Sequence, residues 1–471
     1  MTDSILIVGG GVAGLHAAME CSRAGARAIV LERGPVAGGR LAATMTEATA
    51  IGGRASGAAV PLFEALAEDD NVEIMTLATL QNVAGRPGNF TVSIREQARF
   101  VTDQCTRCKL CRAVCPVVLA NEYDAGLTFR KAIYTPMGET LPEAYVVDIQ
   151  NCLNTPPNYL PCQRCVEVCE DDAIDFHLPL VTMHERQVGA VILAPGLRIE
   201  DAGNLDGLGY GAHPDIVTSA ELQRLLESPG PTGGYASKPS NEEYPERVLL
   251  VLDNLSDFAL YVVASQVHQL REQDVASVAV LVLSPPPHDG EYAAAQALAD
   301  EAGVSIAWGG MFKVDPAEDD TLEVSYEDFS THRFVRDTYD MIALCSDVAP
   351  ADGLAELADT VGVELADTGY VSLQDQDGAS VATSRPGVFV AGCASGPKNI
   401  ADSIATAQVA AGAALDNLDR RLLRSDYVPR PVAEVDASDT DADDARPALS
   451  ANETRARVEQ MLYALLDKPR T

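Results

Sequence analysis

The sequence predicts an α/β chain in which Rossmann-like units are interrupted by a cysteine-rich insert. Three observations predict it. A strand, a glycine-rich turn, a helix and a second strand follow one another between residues 5 and 32. Apolar, strand-like runs of the same kind resume at Val188–Leu193 and Gly387–Cys393. Between them, eight of the eleven cysteines fall in the stretch from Cys105 to Cys169. At 471 residues the chain has room for about three domains at roughly 150 residues each, and its hydrophobic content of 47% is that of a folded protein.

The first element is Ile5–Val8, an apolar run. Gly9-Gly10-Gly11-Val12-Ala13-Gly14 then reads G-x-G-x-x-G, Leu15–Ala24 carries helical spacing, and Ala28–Leu31 is a second apolar run ending at Glu32. Gly9, Gly11 and Gly14 let the backbone approach a pyrophosphate at a helix amino terminus, and Glu32, eighteen residues beyond Gly14, is placed to accept hydrogen bonds from a ribose. The glycines alone are a weak signal. Strand, helix and acid in the right order make dinucleotide binding the expectation.

The next segment, Glu32-Arg33-Gly34-Pro35-Val36-Ala37-Gly38-Gly39-Arg40, reads E-x-x-x-x-x-G-G-R. It resembles the segment after the second strand in two-dinucleotide-binding-domain flavoproteins of the thioredoxin-reductase-like kind. That resemblance implies FAD rather than NAD, with Arg33, Gly39 and Arg40 near the nucleotide and Arg40 on its diphosphate. The plainer reading of Arg40 is an ordinary solvated arginine.

The insert opens with Cys105, Cys108, Cys111, Cys115 and Pro116, which reproduce C-x2-C-x2-C-x3-C-P. Its second group is Cys152, Cys162, Cys165 and Cys169, with nine residues rather than two after the first cysteine, among them Pro156, Pro157 and Pro161. Zinc ribbons use separated C-x2-C pairs, and no secretory signal precedes the cysteines to favour disulfides. Both runs resemble two-cluster ferredoxins, in which the fourth cysteine crosses to the other cluster. The resemblance implies two [4Fe-4S] clusters: one on Cys105, Cys108, Cys111 and Cys169, the other on Cys115, Cys152, Cys162 and Cys165. Whether Cys152 reaches its cluster depends on the proline-rich loop.

Past the insert, Val188–Leu193 runs into Ala194-Pro195-Gly196, which looks like the "A-T-G" strand and turn of the same flavoproteins with proline for threonine. Gly387-Val388-Phe389-Val390-Ala391-Gly392-Cys393 resembles their flavin-binding "G-D" strand, with Cys393 in place of the acid. Ala194, Gly196, Gly392, Lys398, Asn399 and Ile400 are therefore expected at the cofactor. A helix entered at Asn399 and Ile400 would aim its positive end at the flavin. Lys398 would add a cation there; otherwise it is a solvated loop lysine. Between these segments a second α/β unit spans about residues 245–350, with strands at Arg247–Leu252, Val275–Leu283 and Met341–Leu344 and a helix at Asp257–Arg271. Its first turn, Leu252–Phe258, has no glycine and two aspartates, which disfavours a bound NAD(P)H pyrophosphate.

In shared order, these segments resemble the family of heterodisulfide reductase A subunits and their homologues. Further marks are Asn121–Leu127, Arg130–Tyr134, Ala173–Phe176, Thr218–Leu226 with Gly230–Gly234, and Gly396-Pro397-Lys398. There are departures: Thr46–Ser56 and Leu252–Ala264 lack the cysteines of full-length members, and the carboxyl-terminal ferredoxin domain is missing. The resemblance implies a reduced version carrying FAD and two clusters, without flavin-based bifurcation carried over. Cys21 and Cys345 read as packing residues.

The expected organisation is a FAD-binding domain in three parts (1–98, 181–244, 351–417), a ferredoxin-like insert (99–180), a second Rossmann-like domain (245–350), an acidic linker (418–448) and a terminal helix (449–471). The net charge of −35 disfavours nucleic acid. No run of 18 apolar residues is present, so membrane contact is expected only through a partner, and free thiols imply the cytoplasm. The function expected is that of an electron-transfer oxidoreductase within a heterodisulfide-reductase-like complex, with its other subunits as partners and a homodimer as a further option; the tail helix is expected to dock on its own body or on a partner subunit. Alternatives are an NAD(P)H-dependent oxidoreductase resembling glutamate synthase small subunits, and a non-catalytic scaffold with a structural flavin.

Overall fold

The computed structural model describes residues 3–39, 62, 65–136, 141–199, 207–227, 230–253, 257–285, 304–317, 320–374 and 380–418. They fall into two compact units, one holding the described residues up to 198 and from 350 onward, the other those from 199 to 349.

The first unit is built on a parallel five-stranded sheet in the order Val388–Val390, Ala190–Leu193, Ser4–Val8, Arg27–Leu31, Val72–Met75. The four strands inside the edge strand Val72–Met75 are largely continuous apolar runs because both of their faces are covered. On one face lie the helices Val12–Arg23 and Ile400–Leu415. Their contact is made of Ala17, Ala18, Ala407, Ala410, Ala411 and Ala414, all buried, whose small side chains allow close approach. On the other face sits an antiparallel sheet of Ala78–Arg86, Asn89–Gln97 and Val181–Val188. It buries Phe90, Val92 and Ile94 against Leu6, Val191 and Leu193, and each such fully buried side chain contributes about 1.5–3 kcal/mol.

That second sheet explains how an insert is accommodated. Gln97 and Val181 are register partners on adjacent antiparallel strands, so the chain leaves and returns at one point and the sheet beneath is undisturbed. The insert has little regular structure: short helices at Leu110–Val114 and Arg164–Glu167, and strand pairs Leu119–Ala120 with Phe129–Arg130 and Ile133–Tyr134 with Val146–Val147. Its core is Phe100, Val101, Cys111, Ile133, Tyr145, Val147 and Ile174, with five further cysteines packed against it.

The second unit is a seven-stranded mixed sheet in the order Ile216–Thr218, Met341–Cys345, Arg247–Leu252, Ser277–Val282, Val304–Pro316, Leu322–Asp328, Arg333–Tyr339. The first five are parallel and the last two extend the edge antiparallel. The helices Ser219–Leu226 and Asp257–Glu272 pack on one face through Leu222, Leu226, Val263, Val267 and Leu270. Thr218 starts the shorter helix with a capping box: its Oγ1 accepts from the Glu221 N–H at 3.2 Å and its own N–H donates to Glu221 Oε2 at 2.6 Å.

Three expectations need correction or bounding. Described residues from 199 to 244, expected in the first nucleotide fold, belong to the second unit, because Ile216–Thr218 pairs in parallel with Met341–Cys345 as its edge strand. The two antiparallel edge strands of that unit are additional to the expected Rossmann pattern. Arg40, the acidic linker beyond Leu418, the helix at 449–471 and residues 254–256 of the glycine-free turn lie outside the described residues. Among the described residues no helix is long and apolar enough to cross a membrane.

Candidate functional site

Three loops leave the carboxyl ends of neighbouring parallel strands: Gly9–Gly11 after Val8, Ala194–Gly196 after Leu193, and Ala391–Asn399 after Val390. The carboxyl edge of an open parallel sheet is where such folds bind ligands. Gly9 has φ +116°, and a Cβ on it would lie 2.0 Å from the Ala194 carbonyl oxygen. A Cβ on Gly14 would lie 1.9 Å from the Gly9 carbonyl oxygen, so the helix seats directly on the turn. Gly11 is the N-cap of Val12–Arg23 and provides no side-chain cap. The first-turn N–H groups thus lack a side-chain cap, and among the described residues a Cβ at Gly11 would meet only the Gly39 Cα, at 3.9 Å. That open, positively polarised concavity fits a pyrophosphate.

Glu32 is tied into the same loop system: Oε2 accepts from the Gly10 N–H at 2.9 Å and Oε1 from the Gly34 N–H at 2.6 Å. An ionised carboxylate has about four acceptor positions, so two remain for ribose hydroxyls. Gly38 donates its N–H to the Gly10 carbonyl at 2.7 Å, and Gly39, at φ +56°, lies against Gly11. Arg33 points elsewhere, its Nη1 donating to the Asp352 carbonyl at 2.9 Å on the surface.

At the third loop, Gly392 has φ +60° and no room for a Cβ, which would sit 2.8 Å from the Ala13 Cβ; its N–H donates to Thr406 Oγ1 at 2.9 Å. Asn399 caps the helix that begins at Ile400, accepting from the Asp402 N–H at 2.8 Å. Lys398 is partly buried and donates from Nζ to Ser395 Oγ at 3.0 Å. Burial lowers its pKa, opposed by the nearby Cys393 and Asp402. Cys393 turns its Sγ to the Lys398 carbonyl, 3.5 Å away.

The insert surrounds two cavities, each walled by four cysteines. The first is lined by Cys105, Cys108, Cys111 and Cys169 together with Val101, Ile133, Tyr145 and Ile174. The second is lined by Cys115, Cys152, Cys162 and Cys165 with Val147, Leu153 and Phe176. The last cysteine of each run thus faces the other run's cavity. Lys109, at φ +71°, turns the chain into the short helix that carries Cys111. The proline-rich loop folds back on Cys152: its carbonyl accepts from Thr155 Oγ1 at 3.1 Å and Asn158 Nδ2 at 3.0 Å, and Leu160 N–H bonds the Leu153 carbonyl at 2.7 Å.

None of the eleven cysteines forms a disulfide. Among the described residues no three or more His, Cys, Asp or Glu side chains converge as a single ion requires. Four thiols around each apolar-walled pocket are a donor set that fits an iron-sulfur cluster rather than a single ion. Burial pushes Cys111 up to about 11 and Cys165 up to about 12, and raises Cys152. Cys169 Sγ already accepts the Ala173 N–H at 3.3 Å. Sequence reading missed Arg99, which joins the insert to the nucleotide loop; no motif marks it, because its partners are scattered along the chain.

Residues 4–113 match the family of FAD dependent oxidoreductases. The chain is 30% identical over 429 residues to the iron-sulfur A subunit of the CoB–CoM heterodisulfide reductase of Methanocaldococcus jannaschii, covering 87% of this chain and 63% of that one. It is 29% identical over 442 residues to the A subunit of the H2:CoB-CoM heterodisulfide,ferredoxin reductase of Methanothermobacter marburgensis, covering 88% and 63%. The chain therefore spans less than two thirds of these relatives' length. The crystal structure of T. acidophilum thioredoxin reductase aligns with a TM-score of 0.46 at 15% identity, over 88% of this chain and 97% of that one.

Proposed function

Since the chain belongs to the family of heterodisulfide reductase A subunits, we propose that it is an oxidoreductase subunit carrying FAD and two [4Fe-4S] clusters, relaying electrons between the flavin and partner subunits. The observation that carries this reading is the pair of four-cysteine cavities in the same compact unit as the glycine turn. Gly9, Gly11, Gly14 and the helix amino terminus at Val12 would hold the pyrophosphate, Glu32 the ribose, and the loops at Ala194–Gly196 and Gly392–Ile400 would flank the flavin. Bound FAD would supply two-electron exchange and the clusters single-electron transfer.

The chain's own part is orientation and potential. The buried walls of the two cavities, Ile133, Val147 and Ile174 among them, give the cysteines apolar neighbours on their inner side. The capped helix at Ile400 and the partly buried Lys398 place positive potential at the third loop. Partners would be the other subunits of a heterodisulfide-reductase-like complex.

Anaerobic purification with iron and flavin analysis tests the reading. About eight iron atoms and one FAD per chain are expected from two four-iron clusters. About four iron atoms, or a purified protein without flavin, refutes it.

A further inference from the structure

We propose that Arg99 locks the nucleotide fold onto the insert and supplies the buried counter-charge for a cluster held by Cys105, Cys108, Cys111 and Cys169. The inference rests on the reading that these four cysteines hold a cluster. Arg99 stands two residues beyond the strand Asn89–Gln97, where the chain enters the insert. Its Nη1 donates to the carbonyls of Ala144 at 3.1 Å and Tyr145 at 3.2 Å. Its Nη2 donates to Thr76 Oγ1 at 3.1 Å and to the Pro35 carbonyl. Its own carbonyl accepts the Val147 N–H at 3.1 Å.

Tyr145 lines the first cysteine cavity. Pro35 lies in the Glu32–Gly39 segment that abuts the glycine turn, and Thr76 follows the edge strand of the same sheet. One rigid guanidinium fork therefore spans the seam between the two candidate sites, and its planar geometry satisfies four acceptors that a lysine could not reach together.

All four acceptors are neutral. The acid-forming groups acting on Arg99 are Tyr134, Cys105 and Tyr123, with no carboxylate among them. A partly buried cation without an anion is costly, and burial lowers Arg99 to about 10, which still leaves it charged at neutral pH. Among the described residues, the strong anion that can act on it is the one that forms when Cys105 becomes a cluster thiolate. Reduction adds an electron there, so a fixed cation favours the reduced state and raises the potential. The guanidinium's acceptors reach the lining of the first cavity, through Tyr145, and not that of the second, which makes the second cavity an internal control.

The test is an anaerobic redox titration of the full chain with its bound cofactors, followed by EPR, on wild type, R99K, R99Q and R99M, with iron and flavin content measured in parallel. C169S identifies which signal belongs to the first cavity by removing it. In R99Q and R99M we expect the first cluster's reduction equilibrium to fall about tenfold, which is 59 mV for a one-electron couple, while the second stays in place. R99K, which keeps the charge, should recover most of the shift; if R99M does not fold, R99Q and R99K decide. Unchanged midpoints in R99Q, or R99K falling as far as R99Q, overturn the counter-charge role. Failure of the underlying reading looks different: C169S then leaves iron content and EPR spectrum as in wild type.

Discussion

Gly9 and Ala194 touch through their backbones so closely that a Cβ on Gly9 would lie 2.0 Å from the Ala194 carbonyl oxygen, with Gly9 at φ +116°. The contact joins the first strand's turn to the strand after the insert, so the sheet closes only with glycine here. Gly11, two residues on, has room: among the described residues a Cβ there would meet only the Gly39 Cα, at 3.9 Å. The two glycines should therefore fail differently. G9A combines a backbone clash with about 1–3 kcal/mol of dihedral strain and should lower the melting temperature and flavin content together. G11A should keep the fold, losing about 1 kcal/mol or less of cap stability, while flavin content collapses because a methyl fills the concavity. Calorimetry beside flavin absorbance separates them; equal loss of stability in both variants would contradict the assignment of Gly11 to the ligand.

The crossing of the cysteine runs makes a second prediction that proximity in sequence would get wrong. Cys165 and Cys169 are four residues apart but wall different cavities. C169S should therefore resemble C105S, each losing the first cluster, and C165S should resemble C115S, each losing the second. Iron content near half of wild type is expected in all four, with two distinct residual EPR spectra. Should C169S and C165S leave the same spectrum, the crossed arrangement is wrong.

How much was legible in sequence depends on how local each role is. The glycine turn and the cysteine runs act through fixed short spacings, and those spacings are visible without a structure. The edge strand Ile216–Thr218 has only three residues and takes its place from Met341–Cys345 far downstream, so residues 199–244 could not be assigned to the second unit by pattern. The antiparallel strands Leu322–Asp328 and Arg333–Tyr339 carry charges at Glu323, Glu327, Asp328, Arg333, Arg336 and Asp337 without regular alternation, so no clean strand pattern marks their pairing. Arg99 is the extreme case: its acceptors at Pro35, Thr76, Ala144 and Tyr145 meet only in three dimensions.

The thiols set opposite pH trends for the empty and loaded protein. In the metal-free fold Cys111 rises from 9.0 to about 11 and Cys165 to about 12, chiefly by burial. The folded state prefers both thiols protonated, so this contribution is full below pH 9 and is lost as pH climbs through the folded values. Apo protein should therefore melt at progressively lower temperature from about pH 9 to 11. Cluster assembly needs thiolates and releases protons, so reconstitution should instead become more favourable as pH rises from 7 to 9. Melting curves and iron uptake over the same pH series check both signs; a metal-free protein that gains stability above pH 9 would refute the buried-thiol account.

Lys398 offers a last prediction at the third loop. Its Nζ is held by Ser395 Oγ at 3.0 Å, and burial works against its charge while Cys393 and Asp402 favour it, an arrangement in which a cation is kept at a fixed place instead of being released to solvent. If that place is beside the flavin, K398A should make the flavin harder to reduce, and a tenfold change in the two-electron equilibrium is 29.6 mV. K398R should retain most of the wild-type potential, and S395A, which frees the ammonium, should fall between the two. Spectroelectrochemical titration of the three variants decides the point: an unchanged midpoint in K398A assigns Lys398 to the surface and leaves the amino terminus of the helix Ile400–Leu415 as the positive group of this loop.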